Sequence, residues 1–256
     1  MIDMDGTVYH GSRPIPGAVD FIASLRSHGI PFLFLTNNSC HPRSHYVDRL
    51  RSMGFDVSPD EILTSVVATT RYLLDNRPGA RVYPLASAGV AEEMASAGVN
   101  IVDSEPDIVL LTFDRTMTYD KINAAYRFLV DGAELMATNP DDTCPSEVGY
   151  DIDLGPFIRM FEQMCGRRAL VIGKPNTLFL EMAADIMGVD PSDTVMVGDR
   201  LYTDMEVASR AGAHSILVLT GEATLGDLEA SGLEPDHVLG SVADIPPLFD
   251  RRDVDV

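Results

Sequence analysis

Cysteine and lysine are both scarce in this chain of 256 residues, and each scarcity removes a class of function. The three cysteines, Cys40, Cys144 and Cys165, are odd in number and form no CxxC pair, so neither a disulfide framework nor a zinc site is indicated. A reducing, cytoplasmic setting is the natural expectation. Lysine occurs only at Lys121 and Lys174, and 39 Asp and Glu against 19 Lys and Arg leave a net charge of −20. Nucleic acid and anionic membranes need a basic footprint, so neither is expected as a partner. No apolar run approaches the roughly 18 residues of a membrane span. The first ten residues carry Asp3, Asp5 and Gly6 where an export signal would be basic and then apolar.

Strand-like and helix-like segments alternate throughout, which predicts a parallel α/β architecture. Residues 30–35, 169–172, 194–197 and 215–219 read as strands. Helices are predicted over about 43–53 and 177–187, and another from about Thr203. In the middle, 81–85, 101–102, 107–113 and 134–137 read as strands, with helices over 88–97 and 119–130. The sequence predicts a core of residues 1–79 and 169–256 carrying an inserted domain, 80–168. The charge-rich tail from Asp250 reads as a frayed terminus.

Four motifs stand at the ends of predicted strands. In Asp3-Met4-Asp5-Gly6-Thr7 two carboxylates lie two apart, so on an extended strand end they face one crevice. One can attack phosphorus while the other manages a leaving-group proton; the same residues also suit an Asp-Gly turn. Gly6 lets the backbone turn close to a ligand. Thr36-Asn37-Asn38-Ser39 sets a hydroxyl, amides and backbone N–H groups beyond a strand, where α/β folds bind ligands; it equally suits a capping cluster. Lys174, in Gly173-Lys174-Pro175, places an ammonium at a strand end, able to neutralise phosphate charge or to sit at the surface. Asp199 follows a strand directly, and Asp204 falls near the start of the next helix. Two carboxylates there suit a hard cation such as magnesium, although Asp204 also suits a helix start electrostatically.

Together these stretches resemble the haloacid dehalogenase superfamily, and closely its NagD-like phosphatase branch. Pro14-Ile15-Pro16-Gly17-Ala18, Ala137-Thr138-Asn139-Pro140-Asp141, Val195-Met196-Val197-Gly198-Asp199-Arg200 and Leu217-Val218-Leu219-Thr220-Gly221 extend the likeness over nearly the whole chain. The resemblance implies a Rossmann-like, doubly wound parallel-sheet core with an inserted α/β cap. It implies that Asp3 is the nucleophile, forms an aspartyl-phosphate and ligates Mg2+. Asp5 protonates the leaving oxygen, later activates water, and offers its backbone carbonyl to the metal. Thr36 and Asn37 bind the phosphoryl group, helped by backbone at Asn38 and Gly6. Lys174 bridges nucleophile and phosphate, Asp199 ligates the metal, and Asp204 completes its shell. Thr36 lies 33 positions after Asp3, and Lys174 lies 138 after Thr36, which is the cap placement of the NagD-like branch. Asp5 separates the chain from dehalogenases, whose chemistry needs no leaving-group acid.

Two features depart from the family pattern. Only Met1 and Ile2 precede Asp3, so either the first strand is very short or the true start lies upstream, and Ile152-Asp153 stands where relatives often carry a Pro-Gly-type turn. The expected activity is hydrolysis of small phosphomonoesters such as nucleoside monophosphates or sugar phosphates, and the expected partner is a small phosphorylated metabolite. Phosphoryl transfer to another acceptor and a non-catalytic phosphate sensor are the alternatives, the second disfavoured because a binder has no use for Asp5. The four motifs touch only the phosphoryl group, so selection is assigned to the cap. Its candidates are Asn139, Asp141, Tyr150, Asp151 and Asp153, in segments whose turn-forming residues suggest loops. Capped enzymes of this branch pair through the cap, so a homodimer of that kind is a further expectation.

Overall fold

The computed structural model describes residues 1–146 and 149–249; the tail from Asp250 lies outside them. Packing divides the chain into two units, one of Met1–Thr36, Val47–Ile62 and the residues from Leu180 on, the other of Asn37–Tyr46 and Leu63–Phe179.

The first unit is built on a sheet with the strand order His237–Leu239, His214–Val218, Val195–Gly198, Ile2–Asp3, Phe34–Thr36 and, at the edge where the chain passes to the second unit, Ile62–Thr64. Its first four pairings in that order are parallel. Parallel strands are covered on both faces and therefore read as apolar runs; Ile2, Phe34, Leu35, Met196 and Leu217 are all buried. Helix Ala18–Ser27 buries Ala18, Phe21, Ile22 and Leu25, the spacing of one helical face. The strand Ile2–Asp3 is two residues long, yet it is held on both sides: Ile2 registers with Val197 and Phe34, and Asp3 with Leu35. The strand order turns back at this position, and in such sheets the ligand crevice opens beyond the carboxyl ends of the strands there. Asp3 closes the central strand, Thr36 ends one neighbour, and Asp199 follows the other.

The second unit has its own sheet, ordered Leu170–Val171, Glu134–Ala137, Ile108–Leu111, Arg81–Leu85 and Asn100–Ile101, all parallel. Helices Tyr119–Val130 and Gly155–Cys165 contribute Leu129, Ile158 and Phe161 to a core shared with Val109, Leu111 and Leu135. Thr143–Ser146 and Gly149–Ile152 form an antiparallel hairpin. No helix among the described residues is long and apolar enough to cross a membrane.

The architecture is the expected α/β one, with local differences. In place of the strand predicted over 30–35, the sheet holds the shorter strand Phe34–Thr36. The strand predicted over 169–172 is Leu170–Val171, and it pairs with Glu134–Ala137 rather than with the core sheet; backbone pairing carries little side-chain information, so an isolated apolar strand does not name its neighbour. Packing also groups helix Ser65–Asn76 with the second unit. The segments expected as loops around Pro145 and Tyr150 are hairpin strands. Their turn-forming residues hid the pairing, which forms between two segments each too short to declare a period.

Phe161 is fully buried in the core of the second unit. Phe161→Ala is expected to lower the unfolding free energy by about 3–5 kcal/mol, measurable by urea denaturation.

Candidate active site

Beyond Asp3 the chain folds into a tight turn. The Met4 carbonyl accepts hydrogen bonds from the N–H groups of Thr7, Val8 and Tyr9 at 3.3, 2.9 and 3.4 Å. Gly6 sits inside this turn at φ 81°, a conformation that glycine adopts without steric cost. A Cβ there would also run into the Asp199 carboxylate. That carboxylate is held from two directions: Thr7 Oγ1 donates to Oδ1 at 3.2 Å, and the Glu222 N–H donates to Oδ2 at 2.8 Å.

After Asp199 the chain winds through a wide π turn over Leu201–Met205 before the α-helix Glu206–Ala211. The Asp204 and Met205 N–H groups both donate to the Arg200 carbonyl, and the Arg200 N–H donates back to Asp204 Oδ2 at 3.1 Å. Such turns concentrate at functional sites, because the extra residue redirects a side chain. Here the redirected residue is the fully buried Asp204. As a result, carboxylate oxygens of Asp3, Asp199 and Asp204 lie within 4.8 Å of one another, all three residues being buried. Clustered hard oxygen donors of one charge fit a divalent cation.

The Asp5 carboxyl engages a different partner, accepting a hydrogen bond from the Tyr9 hydroxyl at 2.9 Å. Burial pushes this carboxyl above the usual carboxylate range, against the opposing influence of Arg49, the Tyr9 hydroxyl and Arg200. Arg49 lies over the Tyr9 ring, 4.7 Å from its centroid. A half-buried acid whose protonated form is favoured suits proton donation.

Within the second unit, Asn37 and Lys174 form one structure. Asn37 Oδ1 accepts from the Lys174 N–H at 2.9 Å, while Nδ2 donates to the Lys174 carbonyl at 2.9 Å and to Asp141 Oδ2 at 2.8 Å. The Asn37 amide, expected at the phosphoryl group, is therefore committed to the Lys174 peptide. Asn38 accepts at Oδ1 from the Tyr46 hydroxyl, 2.9 Å away. Of the five selection candidates, Asn139, Asp141 and Asp153 are at most 3% exposed and belong to the same hydrogen-bonded set: Asn139 Nδ2 donates to Asp141 Oδ2 and to Asp153 Oδ1 at 3.0 and 3.2 Å. Tyr150, by contrast, is 62% exposed, and Asp151 pairs with Arg115 at 3.4 Å. Both line a cavity of about 470 Å³ with Phe113, Arg115, Met117 and Phe157.

Several residues of these arrangements escaped the sequence. Tyr9 was legible in principle, four positions after Asp5. The Glu222 contact uses backbone and leaves no residue signal. Burial raises the Cys40 thiol above its ordinary value, which disfavours the thiolate. Gly6→Ala is expected to destabilise the protein by at least about 1–2 kcal/mol, the cost of a left-handed Cβ-bearing residue, with a further loss from displacement of Asp199; thermal denaturation measures it.

Two family models match, one described as haloacid dehalogenase-like hydrolase over residues 1–100 and a second HAD-like hydrolase model over 171–245. The chain is 34% identical over 257 residues to an acid sugar phosphatase of Staphylococcus epidermidis, covering 100% of this chain and 95% of the relative. A p-nitrophenyl phosphatase from Archaeoglobus fulgidus superposes with a TM-score of 0.91 at 35% identity, covering 97% of both chains. NagD from E. coli K-12 superposes with a TM-score of 0.88 at 31% identity, covering 95% of this chain and 96% of that one.

Proposed function

The chain belongs to the haloacid dehalogenase-like hydrolases, in their NagD-like branch, and from that premise we propose a magnesium-dependent phosphatase of small phosphomonoesters that works through an aspartyl-phosphate on Asp3. The class of enzyme, a phosphoric monoester hydrolase, follows from the same relatives. The observation that carries the finer reading is the trio Asp3, Asp199 and Asp204, buried and clustered at the carboxyl ends of the central strands.

In this reading Asp3 attacks phosphorus in line with the ester oxygen. The new Asp3–phosphorus bond forms as the phosphorus–ester bond breaks, and Asp5 passes its proton to the departing oxygen. Asp5, now ionised, takes a proton from water as that water attacks phosphorus, which frees inorganic phosphate and restores Asp3. The Thr36 hydroxyl, the backbone around Gly6 and Asn38, and the Lys174 ammonium hold the phosphoryl oxygens. A magnesium ion held by Asp3, Asp199 and Asp204, with the Asp5 carbonyl, would supply the positive charge that lets a dianionic ester approach four aspartates.

Substrate choice falls to residues 80–168, as the cap. Within it, the cavity bounded by Phe113, Arg115, Tyr150, Asp151 and Phe157 is the first place to test, since aromatic faces and charged groups suit a hydroxyl-rich sugar. The naming of relatives as acid sugar phosphatases supports sugar phosphates as the first class to test. Tyr150 and Asp151 then read the substrate, and the buried Asn139, Asp141 and Asp153 act from behind.

Asp3→Asn is expected to lower kcat by several orders of magnitude on every ester, and near-normal turnover in that variant would refute the nucleophile. Asp5→Asn is expected to slow alkyl phosphates by about 10²–10⁴ while sparing 4-nitrophenyl phosphate, whose leaving group needs little protonation. Equal losses on both esters count against Asp5 as the acid. Stripping the protein with chelator should abolish hydrolysis, and magnesium should restore it; full activity in the metal-free protein would overturn the metal requirement.

A further inference from the structure

We propose that Asp141 is a positioning residue for Lys174, acting through the side chain of Asn37. The proposal rests on the reading of Lys174 as the cation at the phosphoryl group. Lys174 is 1% exposed, so its ammonium has little freedom once its backbone is placed. That backbone is clamped by one side chain: the Asn37 amide accepts from the Lys174 N–H and donates to the Lys174 carbonyl, both at 2.9 Å. The approach is close enough that a Cβ at Gly173 would strike Asn37 Oδ1 and the Thr138 carbonyl.

A primary amide can rotate by half a turn and exchange its oxygen and nitrogen. A rotated Asn37 would set N–H against N–H and oxygen against oxygen at the Lys174 peptide. A carboxylate removes that freedom, because it only accepts hydrogen bonds. Asp141 Oδ2 stands 2.8 Å from Asn37 Nδ2, so only the clamping orientation is allowed. The same device recurs one step back. Asn139 Nδ2 donates to Asp141 Oδ2 and to Asp153 Oδ1, while its Oδ1 accepts from the hydroxyls of Ser39 and Thr138, each at 3.0 Å. Asp153 in turn accepts from the Leu154 N–H at 2.7 Å, directly after the hairpin strand Gly149–Ile152. Carboxylates and amides therefore alternate from the end of the hairpin to the lysine: Asp153, Asn139, Asp141, Asn37, Lys174. Charge-assisted bonds are stronger than neutral ones, and a buried network with every member satisfied is rigid. Buried carboxylates cost desolvation energy, and orientation of this kind is a reason to retain them.

The test is a double-mutant cycle on the magnesium-loaded full chain with 4-nitrophenyl phosphate as substrate. Asp141→Asn supplies both a donor and an acceptor and so releases the Asn37 amide. It should lower kcat about tenfold while KM moves less than about threefold. In a Lys174→Ala background the same change should alter kcat less than about twofold, because its effect passes through the lysine. An equal loss in both backgrounds, or wild-type kcat in folded Asp141→Asn while Lys174→Ala is impaired, overturns the positioning role alone. Wild-type kcat in Lys174→Ala overturns the reading of the lysine as well. Thermal denaturation verifies folding, and if Asp141→Asn is not recovered folded, Asn139→Ser carries the same cycle with the same expected outcomes.

Discussion

The first unit is organised around a repulsion. Three carboxylates, Asp3, Asp199 and Asp204, are held within 4.8 Å of one another while buried. At an effective dielectric of about 20, two full charges that close repel by about 3 kcal/mol, a large fraction of the roughly 5–15 kcal/mol that keeps a domain folded. The scaffold therefore has to be rigid where it carries them. Asp3 sits on the central strand, paired on both sides. Asp199 is pinned by Thr7 and by the Glu222 backbone, and Asp204 is drawn in by a π turn and the Arg200 N–H. The Thr7 hydroxyl and the Glu222 and Arg200 N–H groups fix the Asp199 and Asp204 carboxylates, and a cluster of such oxygen donors suits a divalent cation.

Asp5, two residues from this cluster in sequence, is treated differently by the fold. Its carboxyl meets the Tyr9 hydroxyl, and burial favours its neutral form. Two positions apart in sequence, Asp3 joins the carboxylate cluster while Asp5 meets a hydroxyl. The difference follows from environment rather than from residue type, since both are aspartates.

The second unit solves a related problem with neutral groups. Asp141 accepts from the amides of Asn37 and Asn139, and Asp153 from the amide of Asn139 and the Leu154 N–H, so a run of buried polar side chains is satisfied internally. In the neighbouring hairpin Tyr150 and Ile152 are exposed, and the partly exposed Asp151 pairs with Arg115.

The motif order and the alternation of strands and helices were legible from residues alone. Helices Tyr119–Val130 and Thr177–Met187 and strands Arg81–Leu85 and Glu134–Ala137 lie where periodicity places them, because apolar spacing is a local property. Asp3 and Asp199 were likewise nameable, since each stands at or directly after the end of an apolar strand, and Asp204 because it falls in the helical turn that follows. The sheet to which Leu170–Val171 belongs was decided only in three dimensions, because strand pairing is made by backbone groups that every residue carries. The same holds for the Asn37 amide, which Lys174 and Asp141 recruit from 137 and 104 positions away. A turn-like Asn-Asn pair has the same composition whether it faces a ligand or a peptide. Composition and spacing determined the chemistry available to this protein, and tertiary structure alone decided which groups are held together, because hydrogen bonds and charge pairs depend on distance in space.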